Sequence, residues 1–153
     1  MPTIETKYFG TMAFERDACF ELPFGLPAFE EERCFLPLEI PAHEPLLFLQ
    51  SITTPSLCFI ALPVLVVDPD YKLSITSEDL EALGLSTARQ PEIGVEVLAI
   101  SLLSVRDNAP TTANLLAPVV INLANRRALQ AIRADRIYSH EHPLALVKQR
   151  PAC

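Results

Sequence analysis

Apolar and polar positions alternate along this chain in short runs, and proline or glycine ends most of them. Ile4, Thr6 and Tyr8 alternate with Glu5, Lys7 and Phe9, and Gly10 can turn the chain back toward Thr11–Phe14. A period of two predicts strands. Cys19–Leu22, Cys34–Leu38, Leu46–Ser51 and Cys58–Leu62 follow as further candidate strands. Tyr71, Leu73 and Ile75 alternate with Lys72 and Ser74, the pattern of a half-buried strand. Val95–Val105 is the longest apolar strand and belongs near the middle of a sheet. Fourteen prolines and only four glycines punctuate these pieces. Together they predict an all-β, mainly antiparallel fold, a small closed or partly open barrel-like domain.

One helix interrupts the strands, near residues 77–83. Thr76 or Ser77 can cap it, Glu78 and Asp79 suit its positive N-terminal dipole, and Gly84 can close it in a left-handed conformation. Leu80 and Leu83 then share the face toward the sheet. Residues 123–136 admit two readings. Ala124, Arg126, Arg127, Ala128, Leu129, Gln130 and Ala131 all favour helix, and Leu129 and Ile132 are spaced as one helical face. Propensity alone gives a helix there.

The stretch Thr112-Ala113-Asn114-Leu115-Leu116-Ala117-Pro118-Val119-Val120-Ile121-Asn122 carries Asn at both ends of an apolar run and Pro inside it. Pro118 has no N–H to donate, so it must turn a corner or lie at a sheet edge. This run resembles the "TANLLAP-VIN" block of the flagellar assembly factor FliW family. Other segments resemble that family in order and spacing. They are Ile4–Gly10, the turn Leu22–Glu30, Phe48–Ser51 with Pro55, Leu57 and Phe59, Asp68–Tyr71, Asp79–Gly84, and Gln130 with Tyr138, Ser139 and His142–Leu144. For residues 123–136 the resemblance implies a hairpin turning near Asn125-Arg126, and we follow it, since tertiary pairing overrides propensity. Departures from the pattern bear on turns. Ala28 stands where the family usually has Gly, so that turn must avoid a positive φ or accept strain. Arg126-Arg127-Ala128-Leu129 replaces a turn that often contains Gly, and Leu102-Leu103-Ser104 replaces a more β-branched strand end.

Length and composition predict one domain over residues 1–153, with a flexible tail after about 144. No apolar run is long enough to span a bilayer, and the N-terminus lacks the features of a signal peptide, so a cytoplasmic protein is expected, its oligomeric state open and a monomer favoured. Cys19, Cys34 and Cys58 sit in apolar stretches and are expected to be buried free thiols, while Cys153 is expected to be exposed. Twelve basic against nineteen acidic residues give a net charge of −7. An acidic surface argues against nucleic acid and suits a basic protein partner or plain solubility.

Catalytic framing is missing. There is no nucleophile elbow, and the glycines at 10, 25, 84 and 94 form neither a phosphate loop nor a dinucleotide fingerprint. His140 and His142 on a strand would lie about 7 Å apart on one face, but no third metal ligand accompanies them. An exposed terminal segment explains His140-Glu141-His142 better, and His43 between two prolines reads as a surface loop. No cofactor, metal or enzymatic activity is expected.

The resemblance implies a regulator with two protein partners. One is flagellin, held before export near the ends that stay disordered until the filament assembles. The other is CsrA, a small basic RNA-binding repressor of flagellin translation, antagonised noncompetitively from beside its RNA site. Flagellin accumulating in the cell would occupy the regulator and release CsrA. Alternatives are a flagellin chaperone without CsrA regulation, and a barrel that binds a small ligand. Candidate contact residues are the acidic set Asp68, Asp70, Glu78 and Asp79, with Gln50, Asn114 and Asn122 from the family-like motifs. The three amides could instead satisfy buried backbone groups near Pro118. Pro23, Phe24, Leu26 and Phe29 form an apolar turn that packs internally or serves as a docking patch.

Overall fold

Two antiparallel sheets account for the alternating segments. In the computed structural model, which describes residues 2–144, strands β1 (Thr3–Thr6) and β2 (Gly10–Ala13) form a separate hairpin. The second sheet is nine-stranded and contains β3 (Phe20–Glu21), β4 (Cys34–Glu39), β5 (Leu47–Ser51), β6 (Cys58–Pro63), β7 (Val97–Arg106), β8 (Ala109–Ala113), β9 (Val119–Asn122), β10 (Ala128–Gln130) and β11 (His142–Pro143). Its order is β10-β9-β7-β6-β5-β4-β3, and β8, carrying β11, joins the far half of β7. The sheet curls without closing into a barrel. Its two edge strands, β3 and β10, meet through a single parallel bridge between Glu21 and Arg127.

β7 is central because both of its faces are covered. Val97, Ala99 and, from β9, Val120 enter one core with Tyr71, Leu80, Leu83 and Leu115. Ile100, Val119 and Ile121 enter the other with Phe20, Phe35, Leu49 and Ala128. Strands buried on both faces read as continuous apolar runs, which is why Val97–Ile100 and Val119–Ile121 lack polar alternation, whereas Val95 and Val105 at the ends of the predicted strand are exposed. Full burial of Phe20 and Phe35 contributes about 2–3 kcal/mol each before entropy is counted.

The helix α2 (Ser77–Leu83) forms from the predicted signals. Thr76 Oγ1 accepts from the Asp79 N–H at 3.2 Å, Gly84 adopts φ 79°, and Leu80 and Leu83 are buried. A second helical turn, α1 (Val64–Val67), was not expected. Its Val-Leu-Val-Val sequence favours strands, but Pro63 precedes it with φ −54° and the Asp68 N–H closes the turn on Val64 C=O.

The expected strand at Tyr71–Ile75 is corrected. Tyr71, Leu73 and Ile75 are buried as their alternation requires, yet the segment pairs with no strand among the described residues. Side chains and one loop amide take its backbone groups instead. The Gln90 amide brackets Ile75 N–H and C=O, Arg133 Nη1 donates to Lys72 C=O, and Ala134 N–H donates to Ser74 C=O. Residues 123–136 hold the turn and the returning strand β10 of a hairpin with β9, and no helix. Ala28 accepts strain, with φ 70°, and Arg126 at the hairpin turn has φ 61°. The strand end at Leu102–Ser104 continues into a bulge between Ser104 and Arg106. Cys19, Cys34 and Cys58 are free but half-buried rather than buried, and burial pushes each thiol pKa up. The expected flexible tail after 144 and the expected exposure of Cys153 lie outside the described residues.

Candidate partner-binding surface

The loop 114–118 separates two strands that share one neighbour. Leu103 pairs with Ala113 and Ile100 with Val119, so residues 114–118 stand opposite Ser101 and Leu102 alone. Asn114 opens the excursion, its Oδ1 accepting from the Ala117 N–H at 2.9 Å. Pro118 ends it, turning the corner that its missing N–H implied. The loop carbonyls are held from the side. Tyr71 Oη donates to Leu115 C=O at 2.7 Å, the Arg133 N–H to Leu116 C=O at 2.9 Å, and Gln130 Nε2 to Ala117 C=O at 3.0 Å.

This loop forms one wall of an open groove of about 540 Å³. The turn after β3 supplies Phe24 and Leu26, the loop supplies Asn114 and Leu116, and β10 with its extension supplies Gln130 and Ile132. Phe24 is 66% exposed and Ile132 58%, large apolar side chains left in solvent. Glu30 and Asp79 also line it. Burial is the main cause that pushes the Asp79 carboxyl up, with Glu78 adding to it and the Thr76 hydrogen bond opposing. The apolar turn thus divides: Leu26 packs inside, Phe24 and Phe29 are exposed, and Pro23 lies between these extremes. A second open groove lies between Tyr8 and Phe9 of the hairpin turn, His43, and Phe48, Cys58 and Ile60 of the sheet. His43 is on the surface, its ring 6.1 Å from that of Phe48.

The candidate contact residues separate. Asp79 and Asn114 meet in the first groove. Glu78 is exposed beside it in sequence and borders a different hollow with Glu81 and Ala82. Asp70 is exposed in the turn after α1, where its N–H donates to Asp68 Oδ1. Asp68 is occupied by the fold, because Tyr138 Oη donates to its Oδ2 at 2.5 Å. That hydrogen bond is the chief cause holding its carboxyl below the ordinary range. Two of the amides are interior. Gln50 is 0% exposed, its Nε2 donating to Ser51 C=O and Pro55 C=O. Asn122 is 4% exposed, its Nδ2 donating to Leu83 C=O at 2.8 Å, so it closes the C-terminus of α2. Glu141 pairs with Arg106 at 2.7 Å, and His142 lies in β11 opposite Ala113. No group of three His, Cys, Asp or Glu among the described residues could hold a metal ion.

Sequence reading missed Leu116, Gln130, Ile132 and Glu30 as groove residues. For Ile132 a signal existed. Leu129 and Ile132 share a face on a helix, but an odd separation puts them on opposite faces of an extended chain. Leu129 is buried and Ile132 exposed accordingly.

These features define a half-open antiparallel β-domain with apolar grooves on its surface, and no helix among its described residues is long and apolar enough to cross a membrane. The family model described as FliW protein matches residues 3–144. A flagellar assembly factor FliW from Syntrophomonas wolfei is 32% identical over 142 residues, covering 92% of this chain and 87% of that protein. The Bacillus subtilis protein of the same name is 31% identical over 141 residues, covering 92% and 95%. A crystal structure of the flagellar assembly factor FliW superposes with a TM-score of 0.79 at 30% identity, covering 94% of this chain and 96% of that one. The chain belongs to the FliW family.

Proposed function

We propose that this chain is a flagellar assembly regulator that binds flagellin in the cytoplasm and antagonises the translational repressor CsrA noncompetitively. Free regulator sequesters CsrA and allows flagellin synthesis. Flagellin that accumulates then occupies the regulator and returns CsrA to repression. The observation that carries this reading is the family match across residues 3–144.

The surface is chemically compatible with it. A net charge of −7 suits a basic partner, and two apolar grooves suit a partner with unburied apolar segments. The space between the faces of the curled sheet is filled by Phe20, Phe35, Leu49 and Ile100, which leaves a ligand-binding barrel without an interior. Titration calorimetry against flagellin and CsrA of the same organism, separately and in competition, tests the proposal. Binding to both, with flagellin displacing CsrA, is the expected result. Binding to flagellin alone reduces the function to a chaperone, and binding to neither overturns it.

A further inference from the structure

Backbone geometry gives the first groove a more specific use. Leu129 pairs with Val120, and the flanking bonds run from Asn122 N–H to Arg127 C=O and from Ala131 N–H to Pro118 C=O, both at 2.8 Å. Backbone groups of residues 127, 129 and 131 therefore face β9. Antiparallel alternation turns those of Ala128, Gln130 and Ile132 to the opposite edge. On that edge lies β3, running parallel to β10, with the Glu21 N–H donating to Arg126 C=O at 2.9 Å. The next donor in such a ladder would be the N–H of residue 23, opposite Ala128 C=O. Residue 23 is proline.

The ladder stops at Pro23 for want of a donor, and the two edges diverge. The turn that follows cannot relax across the gap. Gly25 holds φ +64°, and a Cβ there would lie 2.5 Å from the backbone of Glu30. Neither the Gln130 N–H nor its C=O has a partner among the described residues. β10 also carries no lysine or proline within Ala128–Gln130 to discourage pairing. The groove is thus an unfinished seam with an open strand edge as its floor.

We propose that this seam accepts one extended segment of a partner as an added β-strand, hydrogen-bonded to Gln130 and Ile132. Phe24, Leu116 and Ile132 receive apolar side chains on alternate positions, and Asp79 and Glu30 receive a lysine or arginine. No cation lines the groove among the described residues to oppose that charge. The partner is the flagellin of the functional reading above, on which this inference rests.

Hydrogen exchange on the full-length protein, with and without flagellin monomer, reads the edge directly. Expected is slowing of the Gln130 and Ile132 amides by about tenfold or more on binding. Phe24→Ser and Ile132→Lys, both at exposed positions, should each weaken flagellin binding by roughly tenfold. Their thermal midpoints should stay unchanged. If the unaltered protein does not bind flagellin, the functional reading and the seam both fall. If it binds while both variants bind equally well and the amides stay unprotected, only the seam falls. Lost affinity without amide protection means docking of a helix and overturns strand addition. Protection that grows with the protein's own concentration, flagellin being absent, assigns the seam to a second copy and overturns the proposal.

Discussion

Tyr138 Oη donates a 2.5 Å hydrogen bond to Asp68 across 70 positions of sequence, tying the segment after β10 to the turn after α1. That bond, followed by burial, pushes the Tyr138 phenol up to about 12. A folded-state pKa raised above the ordinary 10.0 contributes stability that is complete below pH 10 and is lost as pH climbs toward 12. Phenolate absorbance should therefore show a step near pH 12 that Tyr138→Phe removes. Asp68→Asn should move that step back toward pH 10. A Tyr138 titration indifferent to Asp68 would mean that the bond does not form in solution.

Arg133 holds the same region from inside. Its guanidinium lies 5.0 Å from the Tyr71 ring centre and 4.9 Å from that of Tyr138, and it forks onto Asp135 at 2.7 and 3.0 Å. Nη1 also donates to Lys72 C=O. Arg133→Met leaves that carbonyl unpaired and removes both ring contacts. A loss of about 3 kcal/mol is expected, or roughly 10 °C in thermal midpoint. Arg133→Lys keeps the charge and loses the fork, so it should recover only part of the stability.

Ala28 and Arg126 share a left-handed backbone with opposite consequences. Ala28, at φ 70°, has an exposed methyl, and its N–H donates to Glu30 Oε2 at 3.1 Å, a bond that a glycine there would keep. Ala28→Gly should stabilise by about 0.5–1 kcal/mol, the steric relief exceeding the added chain entropy. Arg126, at φ 61°, donates from Nη2 to Ala18 C=O at 2.8 Å and from Nε to Cys19 C=O at 3.5 Å. Arg126→Gly relieves the same strain but unties the segment before β3 from the hairpin turn, and should show no gain in thermal midpoint. Equal gains at both sites would mean that the guanidinium bonds contribute nothing.

How far these features could be read beforehand depends on how local their causes are. α2 was legible because Thr76, Asp79, Leu80, Leu83 and Gly84 carry cap, face and stop within nine positions. Tyr71–Ile75 was half legible. Alternation records which side chains are buried, and that was right, but it is silent on what the backbone bonds to. Here the partners are Gln90 and Arg133, distant in sequence. The β9–β10 hairpin contradicted its own propensities and was reached only through family likeness. Asp68 looked like a surface charge because Tyr138 cannot be seen from its neighbours. Phe24 in an apolar turn was visible as a patch, while the seam beneath it needed the register of β10 against β3.

Acid sensitivity should centre partly on Glu96. Two 2.7 Å bonds from Arg89 are the first cause and the Glu92 N–H the second, lowering its pKa from 4.5 to about 2. A depressed carboxyl contributes stability that is present above pH 4.5 and lost as pH falls toward 2. Both side chains are solvent-accessible, so salt screens the pair. Denaturant unfolding of Glu96→Gln should show a shallower decline than the unaltered protein across that window. Parallel declines would remove Glu96 from the account.

Charge reversal separates the acidic residues that contact a basic partner from those that serve the fold. Asp70 and Glu78 are exposed, and neither carboxylate accepts a hydrogen bond from another described residue. Asp68 accepts from Tyr138, so Asp68→Lys should lower the thermal midpoint and cannot report cleanly on binding. Under the proposed function, Asp70→Lys combined with Glu78→Lys should weaken CsrA binding at low salt while leaving the midpoint unchanged. Surface charges act within a screening length of about 10 Å at 0.1 M salt, shrinking to about 3 Å at 1 M. The difference between variant and unaltered protein should therefore shrink as salt is raised, mainly through the association rate. Calorimetry or surface-binding kinetics across that salt range decides the matter. Equal CsrA affinity at low salt rules out Asp70 and Glu78 as contacts, and a deficit that persists at high salt means that they act by something other than charge.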